Sequence, residues 1–115
     1  PTLGEVDENG IIKGKWTRKA DFPGEVRNRA IGFAIKDKGY AGAGQNLERQ
    51  EPLKDFWEFD PSLGEVDENG IIKGKWIRRS DIPMSFNDGI SFVIGNRAFV
   101  GLGNYADGTK KKFIC

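Results

Sequence analysis

"LGEVDENGIIKGKW" occupies residues 3–16 of this 115-residue chain, and the same fourteen letters occur again at residues 63–76. A repeat of this length does not arise by chance, so the sixty-residue period indicates a repeated structural unit. The period is too long for most helical arrays and suits a unit made of several β-strands. The fold therefore depends on what the remainder of each unit encodes.

The residues between the two identical stretches alternate apolar and polar side chains, as half-buried strands do. Sixteen glycines and five prolines interrupt the chain, and no segment keeps a helical period. The run "AIGFAIKDKGYAGAGQ" predicts two strands joined by a turn at residues 36–38, and "GISFVIGNRAFVGLGN" predicts the same in the second unit. On one face of the first strand of each unit lie Ile31, Phe33 and Ile35, or Ile90, Phe92 and Ile94. The sequence thus predicts an all-β fold.

Two further strands complete each unit. "LKDFWEFDP", residues 53–61, predicts a third strand, and its counterpart is the terminal "KKKFIC". The opening stretch predicts a hairpin around Asn9 and Gly10, with a type I′ turn that needs positive φ at both residues. A fourth strand is expected to follow through Trp16 or Trp76. Each unit should therefore form four short antiparallel strands.

The composition narrows the functional classes. The formal net charge is only +1, with 30% charged residues of both signs, so no basic surface for nucleic acid is predicted. The chain contains no histidine, which excludes Ser-His-Asp and Cys-His catalysis within it, and its single cysteine cannot close an internal disulfide. No apolar run is long enough for a membrane helix. The start at Pro1 favours a processed or partial chain.

The order of these motifs resembles the bacterial type of Kelch repeat. The resemblance is carried by "KWTRKADFPGEVRNRAIGFAIKDKGYAGAGQN" and "LKDFWEFDP", and it extends over nearly the whole chain, although the second unit matches more loosely. Two features depart from the family pattern: the glycines near residue 42 are not adjacent, and the hairpin lengthens the spacing between Phe59 and Trp76. Kelch repeats form β-propellers of typically four to eight four-stranded blades. The resemblance implies two such blades in this chain.

On this interpretation residues 1–22 supply the outer strand of one blade, residues 23–82 form a complete blade, and residues 83–115 form an incomplete one. Two blades cannot close a ring. The chain is therefore expected either to be part of a longer propeller or to associate head to tail with copies of itself into a six- or eight-bladed ring. The first alternative is the favoured one.

Several motifs with a chemical interpretation are better explained by structure. The glycines at 39, 42 and 44 do not follow the order of a phosphate-binding loop, and they predict close approach of strands. Asp7 and Asp67 begin stretches whose spacing does not fit an EF-hand, so no metal or other cofactor is predicted. Trp16, Trp57 and Trp76 are expected to pack between blades.

The resemblance implies a ligand-binding face built from loops, namely those joining the fourth strand to the next first strand and the second strand to the third. The candidate binding residues in these loops are polar and differ between the units. They are Arg27, Asn28, Arg29, Gln45, Asn46, Arg49, Asn87, Asp88, Asn104 and Tyr105. Loops on a rigid scaffold often carry function, but soluble propellers also expose polar loops without one.

The sequence therefore leads to a non-enzymatic recognition scaffold for a protein or a carbohydrate. Two alternatives stay open. One is a sugar mutarotase similar to the N-acetylneuraminate epimerase, a Kelch protein that needs no metal. The other is a purely structural module that pairs with copies of itself. The resemblance also implies a secreted or cell-envelope location in a bacterium.

Overall fold

The computed structural model describes residues 4–105 and 113–114, and within them the chain is all-β with no helix. This confirms the prediction that the chain is all-β. The eleven strands are β1 (Arg27–Asn28), β2 (Ile31–Ile35), β3 (Lys38–Gly42), β4 (Gln45–Asn46), β5 (Phe56–Asp60), β6 (Lys75–Arg79), β7 (Phe86–Asn87), β8 (Ile90–Ile94), β9 (Arg97–Gly101), β10 (Asn104–Tyr105) and β11 (Phe113–Ile114).

The first sheet is a four-stranded antiparallel meander in the order β2-β3-β5-β6. Its register pairs Phe33 with Tyr40 and Phe59 with Trp76. Because side chains alternate across a strand, Ile31, Phe33, Tyr40 and Phe56 share one face, and we call these four residues the aromatic face of the first sheet. On the opposite face β2 and β3 carry Gly32, Ala34, Gly39 and Ala41, which we call its small-residue face, whereas β5 and β6 carry Trp57, Phe59 and Trp76.

The second sheet has three described strands in the order β11-β9-β8. β8 and β9 pair from Ile90 with Gly101 to Ile94 with Arg97, and β11 pairs with the other side of β9. The register matches that of the first sheet, with Ile90 in the place of Ile31 and Phe92 stacked on Phe99 as Phe33 is on Tyr40. The repeated sequence thus produces a repeated sheet, with no counterpart of β6 in the second sheet among the described residues.

The core lies where the two sheets meet, because β2 packs against β8 and β9. Its buried apolar residues are Ile31, Ala43, Ile82, Phe86, Val100 and Tyr105. A cavity of about 370 Å³ separates Phe33 and Tyr40 on one side from Ala98 and Val100 on the other. The aromatic face of the first sheet therefore packs on the side of the second sheet that carries Ser91, Val93, Ala98 and Val100.

The repeated stretch forms a hairpin in both units, but its turn differs from the predicted one. Val6 bridges Ile12 and Val66 bridges Ile72, and Gly10 and Gly70 have positive φ of 81° and 79°. Neither of the asparagines that precede these glycines has positive φ. The prediction of a type I′ turn is wrong, because Asp7 shifts the turn by one residue. Its carboxylate accepts the amides of Asn9 and Ile11, and its carbonyl accepts that of Gly10.

Equivalent positions of the two units differ in burial within one copy. Trp76 contacts Phe22 and Phe59 and donates its indole N–H to the carbonyl of Ala20, but Trp16 is 85% exposed. Likewise Ile90 and Ile94 are exposed although their counterparts Ile31 and Ile35 are covered by the second sheet. The physical reason is the same in both cases, since the described residues place no second layer against either position.

The described residues of the range 4–22 contain no strand, so the outer strand expected within residues 1–22 stays a prediction. The basic run at residues 110–112 and Cys115 lie outside the described residues.

Candidate functional site

Two short ladders bring the predicted loop residues together. β1 pairs with β4, which places Arg27 opposite Asn46 and Asn28 opposite Gln45. β7 pairs with β10, which places Asn87 opposite Asn104 and Phe86 opposite Tyr105. These ladders lie immediately beside the first strands of the two sheets. Seven of the ten predicted residues thus belong to paired backbone, whereas Arg29, Arg49 and Asp88 lie in the adjoining turns.

The two ladders are joined to each other. Asn87 donates its side-chain amide to the Gln45 carbonyl oxygen at 2.7 Å, and the Arg29 guanidinium contacts the Asp88 carboxylate at 3.2 Å. The backbone adds hydrogen bonds from the Gly44 N–H to the Phe86 carbonyl and from the Asp88 N–H to the Arg29 carbonyl. The ladders therefore form one continuous polar end of the two sheets, which we call the loop end.

Arg27 holds the framework of the loop end together. Its guanidinium makes a two-pronged ion pair with Asp55 at 2.6 Å for both bonds, donates to the Ala43 carbonyl and lies over the Phe22 ring. The Arg27 side chain is only 7% exposed. A ligand would have to displace a buried carboxylate to reach it, so the prediction of Arg27 as a binding residue is replaced by a structural role.

The charge state of Asp55 follows from this pairing. Burial disfavours the ionised carboxylate, but the hydrogen bonds from Arg27 and from the Trp57 indole outweigh burial and hold the pKa of Asp55 below its ordinary value. Asp55 is therefore ionised at neutral pH. Because it carries no proton and is held by two donors, the Asp55 carboxylate does not serve as a general acid.

Three other predicted residues are also part of the interior. Asn46 is 7% exposed, and its side-chain oxygen accepts the amides of Glu48 and Arg49, which closes the following turn. Tyr105 is 5% exposed and packs on Phe86. Asn87 is 6% exposed and is held between Gln45 and Asn104. Their polar groups are used internally.

The sequence contained a signal for this burial that its interpretation missed. When the two units are aligned, Arg27 occupies the position of Phe86, and Asn46 occupies that of Tyr105. An apolar side chain in one unit marks the position as interior in the other. Arg27 and Asn46 thus fill with polar groups a place that the second unit fills with two packed rings.

The candidate site that remains consists of the half-exposed and exposed polar side chains at the junction of the ladders. They are Asn28, Arg29, Gln45, Asp88 and Asn104. Together they offer three amides, each a donor and an acceptor, beside one cation and one anion. Arg29 and Asp88 also adopt positive φ of 58° and 56°, so both sit at a tight turn of the same form.

Arg49 lies at the margin of this group. Its guanidinium pairs with Glu25 at 2.8 Å and with Glu51 at 3.0 Å, and its side chain is about half exposed. These ion pairs are solvent-accessible and weak, so they do not prevent Arg49 from contacting a ligand. Arg49 thus lies beside the junction and is not part of it.

A second polar cluster lies on the aromatic face of the first sheet. Glu58 is 5% exposed and receives Arg79 at 3.0 Å and the Tyr40 hydroxyl at 3.0 Å. The hydrogen bond from Arg79 is the main cause of a lowered pKa of Glu58, against the opposing effect of burial. Asp55, immediately before β5, is held instead by Arg27 and the Trp57 indole.

The described residues hold no group of three or more acidic, cysteine or histidine side chains placed to bind a metal. Asp67, in the second hairpin, uses its carboxylate for the amides of Asn69 and Ile71, as Asp7 does in the first. No helix within the described ranges has the length and apolar character needed to cross a membrane.

Comparison with known proteins adds no identity to this site. No family model, curated protein or solved structure matches the chain.

Proposed function

We propose that the chain is part of a Kelch-type propeller scaffold that binds a polar ligand at its loop end, and that it is not an enzyme. The observation that carries this proposal is the junction of the two ladders, where amides and one ion pair from both units meet on a rigid backbone. The two repeated sheets and the order of the Kelch-like motifs support the scaffold. Each sheet is a blade on this view.

The side-chain chemistry favours a carbohydrate over a protein ligand. Asn28 offers both a donor and an acceptor, as sugar hydroxyls require. The Gln45 oxygen already accepts from Asn87, and the Asn104 amide already donates to Asn87 and Asp88, so Gln45 contributes mainly donors and Asn104 an acceptor. The exposed aromatic side chains that dominate protein-binding hot spots are not part of this junction in the described residues. A protein ligand is the second candidate.

The sugar mutarotase alternative has less support. An arginine-lined pocket would favour it, but Arg27 is bound to Asp55, Arg29 to Asp88 and Arg49 to two glutamates. The proposed activity is therefore binding without turnover.

A glycan array and a peptide array probed with the labelled chain would test this proposal. We expect binding to a restricted set of glycans, and loss of that binding in the Asn28→Ala/Asn104→Ala double variant. Glu8→Ala, in the exposed hairpin, is the matched control and should bind as the native chain does. Absence of glycan binding, or binding that ignores the junction variant, would contradict the proposal, and selective peptide binding would favour the second candidate.

A further inference from the structure

The contact between the two sheets provides a template for a further contact. The first sheet presents large side chains, with the rings of Phe33, Tyr40 and Phe56 stacked 5.3–5.8 Å apart. The second sheet receives them with its own small-residue face, which consists of Ser91, Val93, Ala98 and Val100. The Ser91 hydroxyl also donates to the Gly32 carbonyl across the contact. Large side chains thus meet small ones.

The second sheet carries its own aromatic face, part of which is exposed within one copy. It consists of Ile90, Phe92, Ile94 and Phe99. Ile90 is 48% exposed, whereas its counterpart Ile31 is 5% exposed, and Phe92 is 41% exposed despite its stack on Phe99. Exposed apolar side chains in one contiguous patch indicate a surface that meets a partner.

The first sheet carries the complementary surface. Gly32 and Ala34 of its small-residue face are exposed, and Gly39 and Ala41 are half-buried. Phe22 already packs beside this face on Trp57, at a ring distance of 5.4 Å, just as Ile82 lies beside the small-residue face of the second sheet. The chain therefore has a large-residue surface at one side and a small-residue surface at the other.

The charges at the loop end match the same arrangement. Arg29 of the first unit pairs with Asp88 of the second, and these two residues occupy equivalent positions. If the second sheet packed on the first sheet of another copy, Asp88 would face Arg29 of that copy, which again brings opposite charges together. Both side chains are about half exposed, which leaves room for this second contact. The amide pair repeats in the same way. Asn87 donates to Gln45 within one copy, and the equivalent residues Asn28 and Asn104 would meet between copies.

We propose that the aromatic face of the second sheet, where Ile90 and Ile94 are exposed within one copy, binds the small-residue face of the first sheet of a second copy of this chain. The contact is heterologous, because different surfaces of the two copies meet. Repetition of the contact closes a ring of two to four copies if the ring has the four to eight blades of a propeller. The inference rests on the proposed repeat scaffold but not on its ligand.

Two single variants each remove one side of this contact. Ile90→Asp places a charge in the aromatic face at a position that is half exposed within one copy. Gly32→Arg blocks the small-residue face, and a Cβ at Gly32 meets only the Tyr40 carbonyl at an ordinary 3.5 Å, so one copy tolerates it. Val66→Asp is the control, because Val66 is 61% exposed in the second hairpin, outside both faces, and its counterpart Val6 is equally exposed.

Analytical ultracentrifugation gives the readout, with circular dichroism to verify that each variant keeps its strands. We expect the native chain and Val66→Asp to sediment at two to four times the 12.8 kDa of one copy. Each face variant alone should sediment at one copy. Mixing the two face variants should yield a species of two copies, because each retains the surface that the other lacks.

A native chain at 12.8 kDa would overturn the proposal. Assembly that survives Gly32→Arg but not Ile90→Asp would also overturn it, since aromatic faces would then bind each other, and so would a mixture that stays at one copy. Sedimentation reads the assembly and array binding reads the ligand site, so the two proposals can fail separately. If ligand binding is never found while the assembly and the mixing result hold, the binding function fails and the self-association stands.

Discussion

The position shared by Arg27 and Phe86 shows how one fold accommodates two chemistries. In the second unit Phe86 is fully buried and packs on Tyr105. In the first unit Arg27 occupies the same place and is neutralised by Asp55 within the interior. A buried ion pair of this kind is costly to break because the remaining charge is left without its partner.

Removal of Asp55 should therefore destabilise the fold strongly. We expect Asp55→Ala to lower the free energy of unfolding by about 3–5 kcal/mol, because it leaves the Arg27 guanidinium buried without its carboxylate. The Arg27→Met/Asp55→Leu double variant should lose far less. Urea denaturation at pH 7 measures both, and a double variant no more stable than Asp55→Ala would contradict the account.

The stability of the chain should also decline in acid in a defined direction. Asp55 and Glu58 both have a pKa lowered in the folded state, so their contribution is fully present above the unfolded-state values of about 4 and is lost as the pH falls through the lowered values. We expect the free energy of unfolding to be nearly constant from about pH 7 to pH 5 and to fall below about pH 4. An Asp55→Asn/Glu58→Gln variant should show a shallower acid decline, and an unchanged decline would refute this assignment.

At the scale of the element, the repeated hairpin depends on its glycine and its aspartate more than on its asparagine. Gly70 has φ of 79° and a Cβ there would meet no atom within 4 Å, so the cost of Gly70→Ala is backbone strain alone, about 1–2 kcal/mol. Asn69→Ala should cost much less, because Asn69 does not adopt positive φ. Thermal denaturation of the two variants measures the difference, and equal costs would restore the type I′ assignment.

The strands of both sheets could be predicted from the sequence because their signals are local. Alternation placed Ile31, Phe33 and Ile35 on one face, and the structure confirms it. The turn at Asn9 and Gly10 was predicted wrongly because the Asp7 carboxylate captures two amides, and a dipeptide rule does not include that side chain.

Burial was less predictable because it depends on what lies across the sheet. Ile31 and Ile90 carry the same local pattern, yet one is covered and the other is exposed. Burial at the loop end was unpredictable for the same reason. The structure brings the predicted residues to this end, but the pairing of Arg27 with Asn46 and the ion pair of Arg27 with Asp55 decide which of them are interior.

At the scale of the whole molecule, two equivalent units make a contact that can be repeated between copies. The alternation of Arg29 and Asp88 provides a test that leaves the apolar faces untouched. We expect Asp88→Arg to weaken the assembly, because it places like charges both within one copy and between copies. The Arg29→Asp/Asp88→Arg exchange should restore it. Sedimentation at low salt measures both variants, and an exchange variant no better assembled than Asp88→Arg would refute the role of these charges.

The most direct test of the repeated contact measures the solvent exposure of the Ile90 methyl groups in solution, by NMR with a soluble paramagnetic probe. We predict that the probe relaxes the methyl signals of Ile90 and Ile31 equally weakly, while those of Val66, 61% exposed in the second hairpin, relax strongly. If Ile90 relaxes as strongly as Val66, no second copy covers the aromatic face of the second sheet, and the central claim is wrong.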